Sequence, residues 1–457
     1  MEHRLISKSS FIRGMQCPKS LWLHLNQPDE RDETSDAQQQ IFDTGHNVGF
    51  LAQQLFPGGI DASRGEHAQV AKAVAYTAEL ISNGTTVIYE AAFSDGETLC
   101  YMDILVKESD GWAAYEVKAS THVKDYQVND VAFQYYVITR SGLPLRRISL
   151  VHVNNQYVRR GELDIKQLFT IENMTDRILP MQEAIPGRLY SLMDMLQTGM
   201  MPEISMGPQC GNPFPCDFLE FCRQSCTEGE NEREPRPANR DQDALDEFLD
   251  ELEYPLYFMD FETIQFAVPR YDESRPYQQI PFQYSLHIQQ STTSSAHQHI
   301  ITLSHYEFLG SPPSDPRPAF IESLLAALGE NGSIIVWNQA FENTRLREIA
   351  RDFPEYAARI DSLFARVADL MVPFRRKHLY TPDMNDSYSL KAVLPALVTD
   401  LSYADLEIQE GGTASIIYES LYHDDDPGSV QQKRENLLAY CKMDTLSLVR
   451  ILELLKP

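Results

Sequence analysis

Leu256-Tyr257-Phe258-Met259-Asp260-Phe261-Glu262-Thr263 opens the second half of the 457-residue chain and decides how that half is read. Its first four residues are apolar and read as a buried strand. Successive side chains of a strand point to opposite faces, so Asp260 and Glu262 share one face where the apolar run ends. Working outward, Phe282–Ile288 and Ser333–Trp337 read as further strands, and Ala319–Leu328, Asn343–Arg351 and Lys433–Leu455 as helices. Strands interspersed with helices predict an α/β fold. Upstream, Asp241–Leu252 reads as a helical lead-in, and Thr227–Arg240, rich in Glu, Arg, Pro and Asn, carries almost nothing to bury. The expected division is a first module over 1–226, a linker and lead-in helix over 227–253, and a second module over 254–457.

The first module predicts a different order of elements. Residues 1–60 read as helical up to the Pro57-Gly58-Gly59 stop, and 65–83 as a helix ended by Asn83-Gly84. Thr86–Phe93, Leu99–Lys107 and Trp112–Lys118 are β-rich runs parted by Ser94-Asp95-Gly96 and Ser109-Asp110-Gly111 turns. A helix over Val128–Ser141 and a strand over Leu145–Asn154 follow. Glu116 and Lys118 are two apart in a strand and lie side by side. If the two strands of the hairpin pair, Asp103 joins them in a cluster of two carboxylates and one ammonium. Such carboxylates hold a hard divalent cation, and the lysine orients water or stabilises developing charge.

In the second module, Glu342 follows the Ser333–Trp337 strand in Trp337-Asn338-Gln339-Ala340-Phe341-Glu342. Tyr440 and Asp444 are four apart on the terminal helix and share a face. Asp260, Glu262, Glu342 and Asp444 thus come from three separated segments, a set able to clamp two divalent ions about 4 Å apart for in-line phosphodiester attack. Asp369 reads as a helix-surface aspartate, with a substitute-ligand role as the other reading. Tyr271, Tyr277 and Phe282 are candidates for base stacking, with packing as the commoner use.

The net charge is −27, which argues against a broad basic footprint for phosphate. Part of that charge lies in solvated runs, Glu228–Glu234 and Asp241–Glu253, and part in the carboxylate clusters themselves. No apolar run is long enough to span a membrane, and Met1-Glu2-His3-Arg4-Leu5 lacks a signal core, so a cytoplasmic protein without membrane contact is expected. Seven cysteines are present. Four of them, Cys210, Cys216, Cys222 and Cys226, are spaced C-x5-C-x5-C-x3-C, which in a reducing compartment predicts metal or cluster ligation. Structural zinc usually takes closer pairs. Cys100 and Cys441 read as plain core residues.

These motifs resemble known families over nearly the whole chain. Asp103, the turn, Glu116-Val117-Lys118 and the helix with Gln134-Tyr135-Tyr136 resemble the PD-(D/E)xK nucleases of RecB type, with Glu90 one strand earlier at a position that is often acidic. In that family a metal-binding His follows a helical glycine; here the matching position is Gly49, and His46 reads as an ordinary polar residue. Cys17 in Met15-Gln16-Cys17-Pro18-Lys19, with Cys210, Cys216 and Cys222, resembles the CRISPR-associated and AddB-type members. That resemblance implies a [4Fe–4S] cluster on these four residues, with Cys226 as a spare able to replace Cys17. The D-x-E after a strand, Asn338 through Glu342, Ser387-Tyr388-Ser389-Leu390-Lys391 and Tyr440 through Asp444 resemble the DEDDy 3′–5′ exonucleases, where Glu342 is usually Asp. The implied architecture is a restriction-endonuclease-like module followed by an RNase H-like module. The implied function is a nuclease using Mg²⁺ or Mn²⁺ on nucleic acid, DNA placed before RNA. In it Asp103, Glu116 and Lys118 serve one site, supported by Glu90 and Gln134. Asp260, Glu262, Glu342 and Asp444 serve the other, with Tyr440 positioning water and Asn338 in support. Two alternatives remain: a degenerate nuclease that binds nucleic-acid ends in a repair or defence complex, and a redox or iron sensor.

Overall fold

The structure, a computed structural model, describes residues 5–63, 70–225, 237–293 and 299–456. Cys226 and the acidic run Glu228–Glu234 lie outside the described residues. The chain divides into two α/β units, one of Met1–Glu230 with Ala267–Pro276 and one of Asn231–Phe266 with Tyr277–Pro457. The short segment Ala267–Pro276 therefore groups with the first unit, although its position in the sequence places it in the second module. Arg159 fastens it there, donating to the Pro269 and Arg270 carbonyls at 2.9 and 3.0 Å.

In the first unit, seven described strands form one sheet, ordered β2-β3-β4-β5-β6-β7 with β1 against β4. The strands are β1 (Ile6–Ser7), β2 (Ile60–Asp61), β3 (Val87–Ser94), β4 (Thr98–Glu108), β5 (Gly111–Lys118), β6 (Leu145–Val153) and β7 (Phe169–Asn173). β3, β4 and β5 are an antiparallel meander, whereas β5 and β6 are parallel and joined by a helix. The helices used below are α1 (Lys8–Gln16), α2 (Pro18–Asn26), α3 (Asp36–Ala52), α4 (Val70–Ser82) and α5 (Asp125–Arg140). The expected all-helical start to residue 60 is thus interrupted by β1. The side chain of Ser7 then caps α1, accepting from the Ser10 amide. Phe11 stacks on Phe133 with ring centroids 4.7 Å apart, which seats α1 on α5 and within the main core of the unit.

In the second unit a two-stranded ribbon pairs β8 (Asn239–Arg240) with β14 (Leu379–Tyr380). The main sheet runs β11-β10-β9-β12-β13, built from β9 (Leu256–Gln265), β10 (Gln279–Thr293), β11 (His299–Leu309), β12 (Ser333–Val336) and β13 (Val367–Asp369). β9, β10 and β11 are antiparallel neighbours, and β12 and β13 run parallel to β9. Apolar clusters cover both faces, one including Leu448, Ile451 and Leu452 of the terminal helix Pro427–Leu455 and one including Phe320, Ile321 and Leu324 of the helix Pro316–Ala327. One stretch of the seat of the terminal helix is polar. Alternate β10 residues Gln283, Ser285 and His287 are buried and bond the helix at the Leu437 carbonyl (2.7 Å) and the Thr445 hydroxyl (2.6 and 2.8 Å).

Candidate functional site

Each unit holds one carboxylate centre, and the cysteines gather separately in the first unit. In that unit the hairpin register pairs Ile104 with Tyr115, which sets Asp103 opposite Glu116. Asp103 Oδ2 accepts the Val117 amide at 2.5 Å. Glu116 is buried, and its Oε1 receives two ammonium groups: Lys118 at 2.9 Å and Lys8, from the first turn of α1, at 2.6 Å. Its other oxygen accepts Gln134 Nε2 at 2.5 Å, and that amide also donates to the Tyr101 carbonyl. Lys118 bridges on to Asp130 at 2.7 Å. Asp103, Glu116 and Lys118 are thus brought together as pairing of the hairpin predicts, and Gln134 joins them as the resemblance implies.

Lys8 and Asp130 are additions. The helical i, i+4 spacing of Asp130 and Gln134 was a usable signal. Lys8 had none, being 108 residues from its partner. Glu90 lies in β3 with φ +53°, a left-handed conformation that is costly inside a strand and occurs chiefly where the surroundings enforce it. His46 is exposed, and a side chain at Gly49 would meet open space.

Charge in this centre is divided. Burial, then the Glu116 charge, pushes Asp103 up to about 8; burial, then Glu116 and Asp61, pushes Glu90 up to about 7. Burial pushes Glu116 up as well, but Lys118 and Lys8 more than offset it and hold the carboxyl at about 2.

In the second unit Asp260 and Glu262 stand on one face of β9, and Asp444 and Tyr440 are buried on the terminal helix. Glu342 sits in the first turn of the helix Gln339–Asp352 and is 2% exposed, with Asn338 exposed at the cap position. Glu342 Oε2 is buried and has no hydrogen-bond partner. Burial raises all four carboxyls. Asp260 is lifted further by Asp444, Glu262 and Glu342, and Glu262 further by Asp444, both well above the usual range. Glu342 rises to about 8, and Asp444 to about 6 against the opposing hydrogen bond of Tyr403 and the charge of Lys391. The Tyr403 hydroxyl donates to Asp444 Oδ1 at 2.5 Å. Lys391 donates to the Tyr440 hydroxyl at 3.1 Å and to the Gln409 carbonyl, with its ammonium over both tyrosine rings.

Asp369 corrects the sequence reading. It ends β13 rather than lying on a helix surface, is buried, and accepts the Met371 amide at 3.0 Å. Its charge helps to raise Glu342. Cys441 is buried, as the core reading expects, and its Sγ lies 3.8 Å from Asp260 Oδ2. Asp260, Glu262 and Cys441 each offer a ligand atom, all within 4.8 Å of one another, the one such group of three or more among the described residues. Tyr271 and Phe282 are buried, Phe282 stacked on Tyr418 with centroids 3.8 Å apart, so neither presents a face to a base.

The donor set of this second centre fits a hard divalent cation. It is oxygen-rich, buried and short of positive partners, and one oxygen is left without any bond.

Cys17, Cys210, Cys216 and Cys222 line one small cavity of about 20 Å³ with Ser20 and Met206. Cys17 occupies the break between α1 and α2, where Pro18 starts the second helix. No three of these sulfurs fall within 4.8 Å of one another. Thiolates on a single zinc lie about 3.8 Å apart, given a Zn–S length of about 2.3 Å, so these sulfurs do not stand at zinc spacing. Arg13 and Arg31 both pair with Asp217 beside Cys216, and Gln16 donates to the Gln209 and Phe214 carbonyls at 2.8 and 2.7 Å. The two ends of the unit are therefore fastened by polar bonds.

A family described as a domain of unknown function (DUF2779) matches residues 257–389. That match takes in Asp260, Glu262, Glu342 and Asp369 and ends before Lys391, Tyr403 and the terminal helix. An uncharacterized protein of Mycoplasma pneumoniae is 27% identical over 211 residues, covering 44% of this chain and 32% of that protein. An uncharacterized protein of Ureaplasma parvum is 28% identical over 191 residues, covering 37% of this chain and 26% of that protein. The chain thus spans about a third or less of the length of these curated relatives. Among the described residues no helix is long and apolar enough to cross a membrane.

Proposed function

We propose that the chain is a metal-dependent nuclease whose working centre is the carboxylate cluster of the second unit, acting as a 3′–5′ exonuclease on nucleic acid, DNA before RNA, in the cytoplasm. One observation carries the reading: Glu342 Oε2 is buried without a partner beside carboxyls that burial and mutual repulsion hold above their usual range. Carboxyls so placed do not stand ionised and unpaired; they take a proton or a bound cation. The β11-β10-β9-β12-β13 order, three antiparallel strands followed by two parallel ones, supports the RNase H-like resemblance.

Asp260, Glu262, Glu342 and Asp444 would hold ions of the magnesium or manganese class, which supply water activation and neutralise charge at phosphorus. Tyr440 orients the attacking water through a hydroxyl that Lys391 fixes from the other side. Tyr403 holds Asp444 in place. In the first unit we propose a RecB-like centre at Asp103, Glu116 and Lys118 and a [4Fe–4S] cluster on Cys17, Cys210, Cys216 and Cys222. Lys8 favours a second reading for that centre, an end-binding site that does not cut, because it occupies the carboxylate oxygen a cation would use.

The test is a Mn²⁺ cleavage assay on end-labelled single-stranded DNA and RNA after anaerobic purification. The wild-type chain is expected to be brown and to shorten strands from the 3′ end. Asp260→Asn should slow trimming by more than the about 100-fold that loss of an outer-sphere partner can cost. Glu116→Gln separates the two centres. Trimming that survives both substitutions together sinks the proposal, and binding with Ca²⁺ but no cleavage with Mn²⁺ selects the end-binding reading.

A further inference from the structure

The second centre contains a group that hard-cation chemistry does not use. Cys441 lies on the terminal helix three residues before Asp444, on the side that faces β9, and its Sγ sits 3.8 Å from both the carbonyl oxygen and Oδ2 of Asp260. The sulfur, an Asp260 oxygen and a Glu262 oxygen all lie within 4.8 Å of one another. A second, independent feature points the same way: Glu342, 2% exposed, carries a buried oxygen with no partner, and its charge is felt at Asp260.

We propose that Cys441 is a metal ligand, and that with Asp260 and Glu262 it forms a carboxylate–thiolate site for a thiophilic divalent cation of the zinc class, which competes with magnesium or manganese for this centre. The proposal rests on the reading of the centre as a cation site. Oxygen donors suit magnesium and manganese, whereas a thiolate selects zinc and similar ions. Zinc bonds of about 2.3 Å to sulfur and about 2.0 Å to carboxylate oxygen put ligand atoms roughly 3.5 Å apart. The group need close by only about an ångström, within reach of small side-chain rotations. On binding, the S–H bond breaks, the proton leaves to solvent and a sulfur–metal bond forms, with no change in oxidation state. A hard ion leaves the thiol protonated and is released freely. A zinc-class ion is held by one more bond and blocks the position, so the predicted consequence is inhibition by zinc at concentrations that leave magnesium activity otherwise intact.

The test compares the full chain with Cys441→Ser, using cadmium as the probe. The other cysteines are common to both proteins and cancel in the difference. The wild type should bind one more cadmium with sulfur-to-cadmium charge-transfer absorbance in the ultraviolet. The zinc concentration that displaces bound Mn²⁺, followed by electron paramagnetic resonance, should rise at least about tenfold in the variant. Cys441→Ala, which removes the donor atom altogether, should match Cys441→Ser in both readouts. Identical cadmium spectra and equal zinc displacement in all three proteins overturn the proposal. Failure of all three to bind Mn²⁺ removes the hard-cation reading, while the cadmium difference still decides whether Cys441 is a ligand.

Discussion

Glu116 of the first unit has two ammonium groups on one oxygen, at 2.6 and 2.9 Å, and an amide on the other. Asp260 of the second unit has three acidic neighbours, Asp444, Glu262 and Glu342, and Lys391, whose charge reaches Glu262 and Asp444, donates its hydrogen bonds to Tyr440 and Gln409. Both centres set carboxylates on strands and meet them with a helix: Asp103 and Glu116 face each other across a hairpin, and Asp260 and Glu262 alternate along β9. They differ in who neutralises them. The first centre carries its own cations, and in the second the carboxylates outnumber the ammonium groups beside them, which under the proposed function leaves the role to a bound ion. A carboxylate cluster therefore signals a metal site only when its counter-charges are counted, and the lysine that decides the count can lie anywhere in the sequence.

The largest expected effect follows from that difference. Mn²⁺ or Mg²⁺ should stabilise the second unit by about 4 kcal/mol at a thousandfold excess over its Kd. The rise in melting temperature should vanish in Glu262→Gln and persist in Asp103→Asn. It should also grow with pH. Glu342 has its carboxyl raised from 4.5 to about 8, so without a cation its contribution to stability is full below 4.5 and is lost as pH rises toward 8. Glu116, held at about 2, behaves oppositely: its contribution is present above 4.5 and is lost as pH falls toward 2. Differential scanning calorimetry across this range, with and without the cation, reads both limbs. A cation shift that is equal at both ends of the range would break the comparison.

Lys8→Met is the sharper probe of the first centre. Removing one of two charged donors to a buried carboxylate should cost about 2 kcal/mol. The variant should also show a larger Mn²⁺-dependent rise in stability than the wild type, one that Glu116→Gln abolishes. If Lys8→Met melts like the wild type and takes up no additional cation, the lysine is not the counter-ion proposed here.

The sequence made the local parts of both centres legible. The Ser109-Asp110-Gly111 turn marked the hairpin on which Asp103 meets Glu116, and the period-two placement of Asp260 and Glu262 put them on one face. What it hid were partners supplied by distant segments. Lys8 arrives through β1 and the stacking of Phe11 on Phe133, neither of which has a local signature. Gln283, Ser285 and His287 alternate with apolar residues along β10, the pattern of a solvated face, yet the terminal helix covers them. That polar seat is what sets Cys441 and Asp444 above Asp260. Cys441 read as core and is buried, while its place beside Asp260 comes from the packing of the terminal helix on β9; Asp369 read as surface because β13 is only three residues long.

Tyr403→Phe should give the smallest effect and the most specific one. The Tyr403 hydroxyl donates to Asp444 and lowers a carboxyl that burial otherwise lifts, leaving it at about 6. Without that bond Asp444 should titrate about one pH unit higher, the equivalent of about 1.4 kcal/mol. A protonated Asp444 is a poor metal ligand, so trimming should fall about tenfold on the acidic side of the profile and recover at higher pH, where the carboxyl ionises unaided. Asp103 and Glu116 receive no bond from Tyr403, and any activity of the first centre should keep its own profile. A uniform loss at every pH would assign Tyr403 to packing beneath the terminal helix instead. A shifted acidic limb would place it among the residues that tune the cation site.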